Sequence, residues 1–153
     1  MSLRTGGVKK SGVYKGVAGV LAIGFALSLA VRGEGTPGMG KPLRVVVHVN
    51  FADVKRQGNG LKNVENILKA SGAAEVEVVC HSEGITLLEK SKTACAGEIE
   101  ALLKKGVRFA ACENTMRLRS IRREDLLPGA TTVPSGAFEV VRRQQDGYSY
   151  FKP

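Results

Sequence analysis

The sequence predicts an α/β fold with helices on both faces of a mainly parallel sheet. Three observations predict it. Strand-like runs, the first of them β-branched, alternate with stretches of helical periodicity from residue 43 onward. The first two of these runs are nearly continuous rather than alternating, as strands covered on both faces are. Glycines fall just past the helical stretches, where chains leave a helix.

Taken in order, Leu43 to Val49 is the first strand. After a polar loop from Asp53 to Asn59, Leu61, Val64, Ile67 and Leu68 share one helical face, and Gly72 closes that helix. Val76 to Cys80 is the second strand. Ile85, Leu87 and Leu88 mark a short helix, and Ile99, Leu102 and Leu103 a longer one stopped at Gly106. Val107 to Cys112 is the third strand. Thr115 to Leu127 holds one or two short helical turns, and Thr131 to Val133 reads as a fourth strand. Ser135 can cap a helix that runs to Gln145 and ends at Gly147, before a last strand from Tyr148 to Phe151. Strand–helix–strand units of this kind close with right-handed crossovers.

The chain of 153 residues has room for one domain with a single core. Residues 1–30 read as a signal peptide or N-terminal anchor: Arg4, Lys9, Lys10 and Lys15 precede the uncharged run Gly16 to Val31, and Ser28-Leu29-Ala30 offers a small-residue exit. The run is shorter than the ~20 apolar residues that span a bilayer. The domain is therefore expected outside the cytoplasm, in the periplasm or an equivalent exported location, with any membrane contact made through residues 16–31. Residues 31–42 form a Gly/Pro-rich linker and 43–153 the domain. The linker holds two decoys. Gly33-x-Gly35-x-x-Gly38 and Gly35-x-x-x-x-Gly40-Lys41 imitate nucleotide-binding strings, but no strand precedes them and Pro37 and Pro42 interrupt them.

The formal net charge is +9, of which the first 30 residues hold four positives and no acid, leaving +5 on residues 31–153. Those positives are interspersed with acids, a solvated surface rather than a nucleic-acid footprint, and aromatics are sparse. Cys80, Cys95 and Cys112 have no zinc-ligand spacing and leave at least one thiol unpaired, so no zinc site is expected, and exchange chemistry at a thiolate calls for neither metal nor organic cofactor. A reversible Cys80–Cys112 bridge is conceivable if their strands are adjacent.

The first three strands end at Asn50, His81 and Cys112, on one edge of a parallel sheet, where ligands and chemistry gather. Cys112 stands where a strand meets a following helix, whose N-terminus can stabilise a thiolate. His81 can act as a base toward it, and the amide of Asn50 or Asn114 can donate to developing charge. Cys112 as a small buried hydrophobe and His81 as an exposed loop residue are the plain alternatives. His48, inside the first strand, reads as a core residue. Glu113 opposes thiol ionisation, and Arg117 and Arg119 offset it or bind an anion.

Several segments together resemble the DsrE/DsrF-like sulfur-relay superfamily, with its YchN-like fold. They are Arg44-Val-Val-Val-His-Val-Asn50, Val76-Glu-Val-Val79 before a His-containing loop, and Gly106-Val-x-Phe109-x-x-Cys112-x-Asn114-Thr-Met116. Glu124-Asp-Leu-Leu127, Val133-Pro-Ser-Gly136 and Gln145-x-Gly147-Tyr148 continue the match. The resemblance implies a three-layer α/β/α domain with a five-stranded sheet, assembled into trimers or hexamers. It also implies a cysteine, here Cys112, that carries sulfane sulfur as a persulfide between donor and acceptor proteins; read with the residues themselves, His81 helps ionise that thiol and Asn114 positions it. The family's sulfur-transfer members are cytoplasmic, whereas this chain has an export leader. The rival expectation is a non-catalytic oligomeric binding module that uses the strand-end crevice, with Arg117, Arg119, Arg122 and Arg123, for a small anion or a protein partner.

Overall fold

A computed structural model describes residues 42–153, so the expected leader and nearly all of the expected linker lie outside the described residues. Five strands form one all-parallel sheet in the order β4-β3-β2-β1-β5: β1 (Arg44–Val49), β2 (Glu75–Cys80), β3 (Arg108–Cys112), β4 (Thr131–Val133) and β5 (Ser149–Phe151). Between them run α1 (Val54–Ser71), α2 (Ala96–Lys104), α3 (Glu113–Leu118) and α4 (Gly136–Gln145), with 3-10 turns at Ser82–Leu87 and Arg123–Asp125. Every strand and helix expected from the sequence is present, but the expected polar loop from Asp53 to Asn59 is instead the Asp53 cap and the first turns of α1. The expected one or two helical turns between Thr115 and Leu127 are α3 and the second 3-10 turn.

Local chemistry sets the boundaries. Asp53 caps α1 by accepting the Arg56 N–H at 2.6 Å, and Gly72 ends that helix in the left-handed region, φ 69°. Ser135 caps α4 from the Phe138 N–H. Gly84 lies so close to β1 that a Cβ there would collide with the Val49 carbonyl.

The two faces of the sheet are covered unequally. Val45, Val47, Val49, Val76, Val78, Cys80, Phe109 and Ala111 pack under α1 and α2 in the main core, with Leu61, Val64, Ile99 and Leu102. The opposite face carries a much smaller cluster, Val46, Val79, Ala110, Val140 and Tyr148, under α4 alone. The layers are thus α/β/α, with the second helical layer a single helix. Either side of that small cluster the sheet face is polar.

At the amino ends of the strands a charged cluster holds α4 down. Glu77 is buried between Arg143 and Arg108, Glu139 accepts from Arg142 and Arg143, and Tyr148 donates to Glu75. At the carboxyl ends the same face carries the candidate site. The chain beyond β5 is pinned where Arg56 donates to the Pro153 carbonyl at 3.0 and 2.6 Å through Nε and Nη2, and the Pro153 ring fills the space beside Gly60.

Candidate functional site

Cys112 is the last residue of β3 and the residue from which α3 starts. Strand alternation puts its side chain on the α4 face with Ala110, whereas Cys80 belongs to the core under α1 and α2. The two thiols therefore occupy opposite faces, and all three cysteines are free. That geometry corrects the conceivable Cys80–Cys112 bridge: adjacent strands do not suffice when the side chains project to opposite sides.

The three thiols differ in kind. Burial pushes the Cys80 thiol far up, and burial with the nearby Glu98 carboxylate pushes Cys95 up. Cys112 is only 4% exposed, and burial works in the same direction there. It is outweighed by hydrogen bonds from the Gly136 N–H, the Thr115 hydroxyl and N–H, and the Asn114 N–H, which together hold the thiol below its ordinary value. Among the described residues Cys112 is the one cysteine whose surroundings favour the thiolate.

Two segments build this cradle. The chain turns into α3 immediately after Cys112, so the N–H groups of Asn114 and Thr115 have no partner within the helix and point back at the sulfur. The third comes across the top of the sheet from Gly136, the first residue of α4. A Cβ on Gly136 would stand 2.8 Å from the His81 Cβ and 3.1 Å from the Cys112 Cβ, so only glycine lets α4 start there.

His81 follows β2, and its Cβ and that of Cys112 flank Gly136. Its two ring nitrogens are engaged elsewhere. Nε2 meets His48 Nε2 at 2.6 Å, and Nδ1 meets the Ser82 hydroxyl at 3.0 Å. His48 Nδ1 in turn meets the Tyr150 hydroxyl at 2.8 Å. Ser82, at φ 50°, donates its N–H to Thr115 Oγ1 at 3.0 Å, which steers the Thr115 hydroxyl proton toward the thiol. Burial, His81 and Lys152 hold His48 down to about 4, and burial and Lys152 lower His81, so both rings are neutral at pH 7.

His48 was expected in the core; it stands on the half-open α4 face at the carboxyl edge instead. Sequence reading also passed over Thr115, Gly136, Ser82 and Tyr150. The signal for Tyr150 and Lys152 is their parity with Tyr148, which becomes readable once β5 is known to lie beside β1. Asn114 serves through its backbone N–H, while its side-chain carbonyl accepts from Arg117. The Asn50 backbone packs under Gly84, and Asn50 is not among the thiol's partners. Arg119 is spent on Glu83, and Arg122 on Asp125 and Glu124. Among the described residues no group of three or more His, Cys, Asp or Glu could hold a metal ion, and no helix is long and apolar enough to cross a membrane.

The sequence pattern of the DsrE/DsrF-like family matches residues 20–153. The chain belongs to the DsrE/DsrF-like family. Among solved structures it is similar to MTH1491, a protein of unknown function from Methanobacterium thermoautotrophicum. That similarity has 36% identity and a TM-score of 0.70 over 72% of this chain and 99% of the other. It is also similar in fold to the ychN protein of E. coli, at 15% identity and a TM-score of 0.55 over 73% and 97% of the two chains. Comparison with curated proteins gives no match. The five-stranded α/β/α architecture of this DsrE-like domain is thus the family's sulfur-relay-related fold.

Proposed function

We propose that this DsrE-like protein is a sulfur carrier in which Cys112 takes up sulfane sulfur as a persulfide and passes it to the thiol of a partner. The observation that carries this reading is the contrast among the three thiols. Burial and surroundings raise two, and a cradle of three backbone N–H groups and one hydroxyl lowers the third.

In the loading step the Cys112 thiolate attacks the outer sulfur of a donor persulfide. The new S–S bond forms as the donor's own breaks, and the donor leaves as a thiolate. In the discharging step an acceptor thiolate attacks the outer sulfur of the Cys112 persulfide, and Cys112 departs with the electron pair. Thiol–disulfide exchange runs faster to a leaving thiolate of lower pKa, so one cradle serves both directions. Asn114, Thr115 and Gly136 hold the charge, and His81 lines the same edge. The chemistry needs no metal and no organic cofactor.

The setting belongs to the same proposal. Residues 1–30 direct the domain out of the cytoplasm, and the domain works as a homo-oligomer. The exposed apolar pair Phe138 and Val141 on α4, at 65% and 53% exposure, supports self-association, which sedimentation velocity would read directly.

The test of carriage is the intact mass of the folded domain after incubation with inorganic polysulfide. A reductant-sensitive gain of one sulfur in the wild type, absent in Cys112→Ser, is expected. An equal gain in both proteins would overturn the assignment.

A further inference from the structure

His48 and His81 meet head on. Their Nε2 atoms are 2.6 Å apart, the ring planes differ by 18°, and the 4.8 Å centroid separation is what two imidazoles show when their corners touch rather than their faces. One hydrogen fits between the two nitrogens; two N–H groups cannot face each other there. In the neutral pair one Nδ1 also carries a proton and the other accepts one from a hydroxyl, either Tyr150 or Ser82. The pair can therefore take up one further proton, at that free Nδ1, and no second. Each end of the chain is an exposed residue, Tyr150 or Ser82, and the Ser82 end also holds Thr115 against the Cys112 thiol.

From this geometry we propose that His48 and His81 form a single one-proton relay, ended by the hydroxyls of Ser82 and Tyr150, that accepts the proton of a thiol arriving to collect sulfur from Cys112. The relay rests on the sulfur-carrier reading for its use, though not for its proton count. In the step, the incoming thiol gives its proton to the Ser82 oxygen as the Ser82 hydroxyl proton passes to His81 Nδ1. The resulting thiolate attacks the outer sulfur of the Cys112 persulfide. One S–S bond forms, the other breaks, and the electron pair stays on the Cys112 sulfur. The transferred sulfur keeps its oxidation state, so no outside oxidant or reductant enters. The step ends with a cationic imidazole pair near a thiolate, and the pair returns its proton to water through either hydroxyl.

The groups around the pair fit this use. Lys152 beyond β5 and burial keep both rings neutral at rest and favour release of an accepted proton to water. Tyr150 comes from β5, Cys112 from β3 across Gly136 of α4, and Ser82 from the 3-10 turn after β2. Glu83, the next carboxylate along that turn, is taken up by Arg119. Ser82 sits in the left-handed region, rare for a serine, and that conformation presents its hydroxyl to His81 and its N–H to Thr115. His48 is a positioning residue that couples the tautomer of His81 to its own.

Two measurements on the folded domain test the relay. In an NMR titration of nitrogen-labelled histidine, wild type and Cys112→Ser should both show the two rings sharing one proton uptake as pH falls through the acid range. Two full, independent titrations near the ordinary histidine value would overturn the pair. The second measurement is the discharge of sulfur from polysulfide-loaded protein to glutathione, followed against pH in wild type and His48→Gln. The variant should be slower by about tenfold or more at mildly acid pH, less than the ~10²–10⁴-fold of a positioned base because His81 itself remains. The gap should close to about twofold well above the ordinary thiol pKa of ~8.5, where glutathione arrives already ionised. Parallel pH profiles with no gap would overturn the relay. A wild type that never loads sulfur would instead overturn the carrier reading, leaving the proton count to the titration.

Discussion

Replacing Gly136 by Ala is the sharpest perturbation of the thiolate cradle. The added carbon would lie 2.8 Å from the His81 Cβ and 3.1 Å from the Cys112 Cβ, closer than carbons pack. Both neighbours are Cβ atoms fixed to strand ends, so neither can swing aside, and the start of α4 must back away. Overpacking of this kind costs about 1–3 kcal/mol of stability. Backing away also withdraws the Gly136 N–H from the sulfur. A hydrogen bond to a charged group contributes about 1.5–3 kcal/mol. At 1.36 kcal/mol per pKa unit the Cys112 thiol should rise by roughly one to two units. Its thiolate fraction at neutral pH then falls about tenfold or more. The assay is the rate of iodoacetamide alkylation against pH, read on the Cys112 peptide, with thermal unfolding measured alongside. A folded Gly136→Ala protein whose Cys112 keeps the wild-type pH profile would refute the claim that α4 holds the thiolate.

Further outcomes follow from the same contacts. Thr115→Val removes the hydroxyl that Ser82 and Cys112 share, and should raise the Cys112 pKa by about one unit in the same alkylation profile, the effect of one hydrogen bond to charge. Arg143→Ala leaves the buried Glu77 carboxylate facing only Arg108, at 3.7 Å, and should cost about 3 kcal/mol in urea unfolding. Because His48 titrates in the fold at about 4 rather than 6.5, the unfolded chain takes up its proton first as pH falls. Its contribution to stability should be complete above 6.5, decline between 6.5 and 4 and level off below; with rings only half-buried it amounts to about 1–2 kcal/mol, and His48→Gln should flatten that part of the stability curve.

The centre of the sheet was legible because β1 and β2 are β-branched runs bounded by turn residues, and burial on both faces leaves such runs nearly continuous. Cys112 was legible for a related reason: a parallel sheet puts its strand ends on one edge, and a helix start follows the thiol directly. Gly136 was not. Its sequence marks it only as the residue after a helix cap, and its approach to Cys112 depends on where the crossover from β4 to α4 lands. His48 was misjudged because a residue within a buried strand is ordinarily a core residue. Here one helix covers that face, and the sheet beyond it stays open to Tyr150 and Lys152. The pairing of two histidines 33 positions apart follows from the register of β1 with β2, where His48 lies opposite Val79, two residues before His81. Side-chain reach across that register is a tertiary fact that local patterns do not carry.

The most direct test of the central claim is the site-resolved location of sulfur after polysulfide loading, read by differential alkylation and peptide mapping of the folded domain. The account predicts sulfur on Cys112 alone, removable by added glutathione. Sulfur on Cys80 or Cys95, or a Cys112 that stays unmodified while the protein is folded, would contradict it.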